Sequence, residues 1–188
     1  LAYNGLQYIN IISQKEIHKG SFEVNINLYW EVIILQEIER KFLIGELPKG
    51  MVPFETKTVY QNYLTVHGIE EVRIRKQVEG GIEKFDMSYK SGSGMIRNEI
   101  KFDISKEVFV DLDNLALKPG VEKYRRFFDY KGYDLMIDIF INPELVVAEI
   151  EFESEQQAKE FTPPSWFGEE VTHSKEYKTK NIWRDLIQ

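Results

Sequence analysis

The chain has 188 residues, 24 Lys and Arg against 31 Asp and Glu, a formal net charge of -7 and no cysteine. Its length and its 43% hydrophobic content fit one globular domain with a core of ordinary size. The negative balance excludes a general nucleic-acid binder. The missing cysteines exclude a disulfide framework, a thiolate zinc site, an iron–sulfur cluster and a cysteine nucleophile.

Residues 1–34 are irregular in polarity and rich in Asn, Ile, Tyr and Ser. Their longest apolar-looking run, Ile26 to Leu35, is broken by Asn27 and Glu31 and is too short to span a membrane. No basic region leads into an apolar segment as in a signal peptide, so the chain is expected to be soluble and cytoplasmic. Trp30-Glu31-Val32 can be encoded TGG-GAG-GTN, which contains a purine-rich ribosome-binding sequence, and Leu35 can be the start codon TTG. Residues 1–34 are therefore expected to be a translated leader, or else an N-terminal extension that packs on a domain formed by residues 35–188.

From Glu37 onward the pattern is mostly that of strands. Glu37–Ile44, Lys57–Thr65 and Glu70–Val78 come first. Gly80-Gly81 offers a two-residue hairpin turn into Glu83–Lys90. Ser91-Gly92-Ser93-Gly94 is expected to be a turn before Met95–Ile104; it lacks the Gly-Lys-Ser/Thr of a phosphate-binding loop. Ser105–Asn114 is a helix candidate with Ser105 as its cap, and Val108–Leu117 is expected to cover the domain with its apolar residues. Strands Glu122–Tyr130 and Tyr133–Ile141 flank the turn Lys131-Gly132, and Val146–Glu153 is the last strand. Ser154–Phe161 opens on a capping box of Ser154 and Gln157 and ends before Pro163-Pro164; Tyr177–Ile187 is a short terminal helix. Many strands in hairpin order predict an antiparallel sheet closed into a barrel. Trp166-Phe167 is expected to plug that barrel or to pack the C-terminal segment. The three histidines, His18, His67 and His173, show no metal-binding spacing.

Residues two apart on a strand share a face. Glu37, Glu39 and Lys41 align in this way, as do Arg73 and Arg75, then Arg97, Glu99 and Lys101, then Lys123 and Arg125, then Glu149, Glu151 and Glu153. The opposite faces carry Ile38, Val72, Ile74, Ile100, Tyr124, Ile150 and Phe152. For a single strand, charges facing water explain such a pattern. Blocks of like charge on strand after strand repel one another, so a counter-charge from outside the chain is expected. Clustered carboxylates suit a hard cation such as Mg2+ or Mn2+, and clustered Lys and Arg suit phosphate. An inward-facing charged surface would give a wet lumen for a small, phosphate-rich anion, and the two charge types together suit metal-assisted phosphoryl chemistry.

Glu37-Ile38-Glu39-Arg40-Lys41 resembles the E-x-E-x-K signature of the CYTH superfamily, the triphosphate tunnel metalloenzymes. In the same order, Gln61-Asn62-Tyr63-Leu64 resembles the family's Q-G-Y-L, Arg73-Ile74-Arg75 its R-x-R, and Lys90-Ser91-Gly92 its lysine before a glycine-rich turn. Val121-Glu122-Lys123-Tyr124-Arg125 resembles V-x-K-x-R, Asp138 falls in the aspartate-bearing strand, and Glu149-Ile150-Glu151 resembles the late E-x-E. Residues from Pro164 to Thr172, with Tyr177-Lys178, are similar to the C-terminus of the bacterial tripolyphosphatase branch. The resemblance covers about residues 35–180.

The resemblance implies an eight-stranded antiparallel tunnel, mainly β with a few flanking helices, that hydrolyses inorganic tripolyphosphate or another small triphosphate with Mg2+ or Mn2+. It gives catalytic roles to Glu37, Glu39 and Lys41. It implies that Lys41, Arg73, Arg75, Lys90, Arg97, Lys123 and Arg125 hold phosphate, and that Glu37, Glu39, Glu149 and Glu151 hold metal, with Glu99 and Asp138 as further candidates. The alternatives are an adenylate cyclase of the same fold, a thiamine or nucleoside triphosphatase, and a polyphosphate-binding module without catalysis. No nucleic-acid or membrane partner is expected, and the chain is expected to be a monomer or homodimer. One departure stands out: the family's R-x-E-x-E reads Arg97-Asn98-Glu99-Ile100-Lys101 here, with a lysine in place of the second acid.

Overall fold

A computed structural model describes residues 6–8 and 33–186. The reading of 1–34 as leader or extension therefore falls, apart from residues 6–8 and 33–34, outside the described residues, as does His18. The strands are β1 (Leu6–Tyr8), β2 (Ile33–Leu43), β3 (Glu55–His67), β4 (Glu70–Glu79), β5 (Ile82–Ser93), β6 (Ile96–Asp103), β7 (Val121–Tyr130), β8 (Tyr133–Phe140) and β9 (Leu145–Glu151). The helices are α1 (Lys106–Leu115), α2 (Glu155–Glu160) and α3 (Thr179–Asp185).

All strand pairs are antiparallel, in the order β1-β2-β6-β5-β4-β3-β7-β8-β9. The long strand β2 closes the ring. Its residues Ile34–Ile38 pair with β6, and Glu39–Leu43 pair with β9. Strands β2 to β9 thus form the closed eight-stranded barrel that the sequence predicts, and closure leaves none of these strands as a free edge. Strand β1 adds to β2 at Ile33–Leu35.

Local sequence explains the turns. Gly80 and Gly81 have φ of 55° and 84°, and Lys131 and Gly132 have 56° and 83°. Positive φ at both central residues is the hairpin geometry whose twist matches that of the flanking strands. The expected turn over Ser91–Gly94 lies later. Ser91, Gly92 and Ser93 belong to β5 and pair with Asn98, Arg97 and Ile96, so the turn is at Gly94-Met95. Cross-strand pairing overrides the weak strand propensity of Ser and Gly here. Gly92 has φ of 112°, and a Cβ there would lie 3.0 Å from the Ile96 carbonyl oxygen, so the glycine allows the close approach.

The apolar residues between the charges on β2, β8 and β9 face outward. Ile38, Phe42, Ile137, Ala148 and Ile150 form a buried cluster with Ala158 of α2, Phe161 and Phe167. Ser154 caps α2 by accepting from the Gln157 amide at 3.2 Å; Gln157 Oε1 accepts from the Glu153 amide, one residue before the cap. Phe167 stacks on Phe42 with centroids 4.7 Å apart, so Trp166-Phe167 packs the C-terminal segment on the outer wall. The barrel is plugged instead by α3. Its Ile182 and Trp183 join Tyr63, Val121, Phe140 and Val147 in a second cluster at one end. Helix α1 starts at the expected cap Ser105, but only its Phe109 is buried. Val108, Val110, Leu115 and Leu117 are exposed, because the helix meets the sheet along one short face and does not cover it. No helix among the described residues is long and apolar enough to cross a membrane.

Candidate functional site

The period-two alternation turns one face of every barrel strand inward. The closed ring brings these faces together: Glu37, Glu39 and Lys41 of β2, Arg73 and Arg75 of β4, Lys90 of β5, Arg97, Glu99 and Lys101 of β6, Lys123 and Arg125 of β7, Asp138 of β8, and Glu149 and Glu151 of β9. Every candidate named from the sequence lies in this lumen. Burial forces each charge toward an opposite charge, and the partners fall into groups.

On the β7–β8–β9 side, Asp138 is fully buried and accepts from Lys123 Nζ at 2.5 Å and from both Arg125 Nε and Nη2 at 2.6 Å. Arg125 Nη2 also reaches Glu149 at 2.7 Å, and Lys41 Nζ meets the other Glu149 oxygen at 2.6 Å. Burial works against the Glu149 and Asp138 carboxylates, but these cations outweigh it and hold both below the usual carboxylate range. Burial and its neighbour Arg125 bring the Lys123 ammonium down to about 8 despite Asp138. Asp138 and Glu149 are therefore tied to cations, and so is Glu99. Glu99 accepts from Arg73 at 3.0 Å and lies 3.5 Å from Lys90.

The β2–β9 side differs. Glu37 pairs with Lys90 at 2.6 Å and with Arg97 at 3.3 Å, and Glu39 accepts from Arg97 at 2.7 Å. Glu151 sits directly opposite Glu39 in the register and has no ion pair among the described residues. Burial first, then the charges of Glu39 and Glu37, push its carboxyl up to about 7. Three carboxylates thus face two shared cations, and negative charge is left uncompensated.

On the β4–β5–β6 side the imbalance has the opposite sign. Arg73 is held by Ser88 Oγ at 2.8 Å, by Glu99 and by Gln61. Arg75 Nε donates to Asp86 at 3.1 Å, and Gln77 donates to the same oxygen at 3.1 Å. Lys101 Nζ lies 3.9 Å from that oxygen. Burial, then the neighbouring Arg73, lower the Arg75 guanidinium below its ordinary value, and burial with Arg75 does the same to Lys101.

Asp86, Ser88, Gln61, Glu71 and Gln77 were not among the sequence candidates. The signal was present, since Asp86 and Ser88 lie four and two residues before Lys90, and Glu71 and Gln77 flank Arg73 and Arg75 at the same spacing. Glu71, 3.4 Å from Lys180, links the lumen to the plug helix. Lys178, just before α3, is brought down to about 8 by burial and by Arg97 and Lys41, so it also senses the lumen. His67 and His173 are exposed.

No family model matches the chain. Two curated relatives do. An inorganic triphosphatase of Nitrosomonas europaea is 39% identical over 155 residues, covering 79% of this chain and 97% of that protein. An inorganic triphosphatase of Acetivibrio thermocellus is 31% identical over 156 residues, covering 78% of this chain and 92% of that protein. A crystal structure of an inorganic triphosphatase superposes with a TM-score of 0.56 at 35% identity, over 78% of this chain and 93% of that one. A Pyrococcus horikoshii protein, 18% identical with a TM-score of 0.53 over 66% of this chain and 82% of that one, shares the fold. A closed eight-stranded barrel with a charged lumen, matched along nearly the whole length of two relatives, places this chain in the inorganic triphosphatase family of CYTH, or triphosphate tunnel, proteins.

Proposed function

We propose that the lumen hydrolyses inorganic tripolyphosphate with a divalent cation, Mg2+ or Mn2+. The observation that carries this reading is the separation of uncompensated charge. Among the described residues Glu151 stands beside Glu39 and Glu37 without a cation of its own, and Arg75 and Lys101 share the carboxylate Asp86. The first calls for a cation and the second for an anion, and a metal triphosphate supplies both. The names of the two relatives support the choice of tripolyphosphate.

The residues fit a hard dication by donor chemistry. Glu37, Glu39 and Glu151 offer only oxygen, on neighbouring strands. Among the described residues no three acidic, His or Cys side chains already converge as a metal cage, because Glu37 and Glu39 lean onto Lys90 and Arg97. Glu37, Glu39 and Glu151 would hold the ion. Glu149 would serve mainly as the anchor of Lys41 and Arg125. The bound ion would neutralise phosphate oxygens and lower the pKa of a water.

The chain itself does the rest. Lys41, Arg73, Arg75, Lys90, Arg97, Lys123 and Arg125 point donors into the lumen and hold phosphate oxygens. Their carboxylate partners keep these side chains in place before substrate arrives, so little ordering is left for the reaction step. The apolar plug of Tyr63, Val121, Phe140, Val147, Ile182 and Trp183 excludes water from one end and strengthens each charge interaction in the lumen. Phosphate release from tripolyphosphate, thiamine triphosphate and ATP, each with Mg2+, with Mn2+ and with chelator, tests the reading. Metal-dependent release fastest from tripolyphosphate is the expected outcome; preference for either organic triphosphate, or release unaffected by chelator, overturns it.

A further inference from the structure

Lys101 stands where the family pattern has an acid, and the structure shows what surrounds it. Asp86, on the neighbouring strand β5, is only 2% exposed, yet among the described residues its Oδ1 has no hydrogen-bond partner. Its Oδ2 takes Arg75 Nε and Gln77 Nε2, both at 3.1 Å, with Lys101 Nζ 3.9 Å away. One carboxylate thus seats two cations and an amide. Arg75 is held only by its Nε, so among the described residues neither terminal guanidinium nitrogen has an acceptor. The Lys101 side chain is 35% exposed and has no partner closer than Asp86 among the described residues. Arg125, by contrast, has Nε and Nη2 bound to carboxylates.

A guanidinium gripped at Nε presents its two terminal nitrogens as a fork, the geometry that matches two oxygens of a phosphoryl group. An ammonium beside it adds three rotatable donors and a second positive charge. In the register, Arg75 faces Asp86, and Lys101 is level with Ser88 and Arg73, so the group is separated by the Glu99–Lys90 pair from Glu37, which faces Arg97, and from the rest of the acidic trio.

We propose that Lys101 is a substrate-binding residue which, with Arg75 on the shared seat Asp86, forms a phosphoryl subsite set apart from the carboxylates that would hold the cation. This rests on the reading of the lumen as a tripolyphosphatase and adds to it a further substrate-binding residue. Lys101 fixes in the protein a positive charge that a bound cation would otherwise have to bring to that phosphoryl group. The chain of tripolyphosphate spans the two regions, with one end on the Arg75–Lys101 fork and the rest beside the acidic trio.

The test is steady-state phosphate release from tripolyphosphate at saturating Mg2+ by the wild type, Lys101→Gln and Lys101→Arg, with melting temperature measured for each. Lys101 is partly exposed, so Lys101→Gln is expected to melt like the wild type. Its KM is expected to rise about tenfold, the loss of one charge-assisted contact, with a much smaller change in kcat. Lys101→Arg, which keeps the charge, is expected to restore KM to within about threefold of the wild type. A wild-type KM in Lys101→Gln, or a KM in Lys101→Arg as high as in Lys101→Gln, overturns the proposal while leaving the tripolyphosphatase reading intact. No phosphate release from tripolyphosphate by the wild type overturns that reading, and the proposal with it.

Discussion

The two walls of the lumen are built from the same alternation but balanced differently. On the β7–β8–β9 wall Asp138 and Glu149 are both claimed: Asp138 takes Lys123 and Arg125, and Glu149 takes Lys41 and Arg125. On the β2–β9 side Glu37 and Glu39 share Lys90 and Arg97, and Glu151 has no ion pair among the described residues. The difference teaches where structure ends and chemistry begins. A compensated buried pair holds the barrel's shape, and removing one partner leaves an expensive bare charge. An uncompensated group is held ready for a ligand and contributes little to the fold, or opposes it.

Breaking the comparison is easiest at Glu39. Glu39→Gln keeps the size of the side chain and removes a charge from the trio, so turnover of tripolyphosphate is expected to fall by about 1000-fold, or ~4 kcal/mol of barrier. The melting temperature should change little. A variant with full activity would sink the assignment of the trio.

The compensated wall should behave in the reverse sense. Asp138→Ala strands Lys123, leaves Arg125 with Glu149 alone, and is expected to lower stability in urea by about 3–5 kcal/mol. A loss below about 1 kcal/mol would show that the wall is not held by its ion pairs.

Glu151 sharpens the contrast through pH. Its carboxyl is raised to about 7 in the folded protein, above the ordinary value near 4.5 that it has when unfolded. A raised folded value means that the folded chain binds the proton more tightly. The stabilisation is complete below about pH 4.5 and is lost as pH rises through about 7. In chelator, Glu151→Gln is therefore expected to stabilise the protein by about 3 kcal/mol at pH 8 and by less than about 1 kcal/mol at pH 5. Equal effects at the two pH values would show that Glu151 is not crowded by Glu39 and Glu37.

The smallest effect is expected at Ser88. Its hydroxyl accepts from Arg73 Nε at 2.8 Å. Ser88→Ala leaves that donor unsatisfied and is expected to cost about 1 kcal/mol, read as a severalfold rise in KM at nearly unchanged kcat. A fall in kcat without a rise in KM would mean that Ser88 does more than orient Arg73.

Much of this arrangement is legible before folding. The run Glu37, Glu39, Lys41 fixes an inward charged face, and the glycines at 80 and 81 fix a hairpin, because both depend only on neighbours in sequence. Asp86 and Ser88 belong to the same alternation as Lys90, but a single aspartate and a serine look like ordinary solvent-facing residues until the strand is known to face a lumen. The small polar residues of Ser91–Gly94 read as a loop, whereas the pairing of Gly92 with Arg97 carries the strand on and puts the turn at Gly94-Met95. The plug illustrates the same limit. Trp166 and Trp183 are similar in type, yet the path of the chain sends the first to the outer wall and the second into the end of the barrel.

The sequence by itself determined which residues share a face, where the charges lie and how the hairpins follow one another, since strand periodicity and turn geometry are local properties. Only the tertiary structure decided which carboxylate meets which cation. That depends on register between strands far apart in the chain, such as Lys41 with Glu149 and Glu39 with Glu151. Charge interactions act through space at close range in a buried lumen, so the residues left uncompensated, Glu151 on one side and Arg75 with Lys101 on the other, emerge only when the ring is closed.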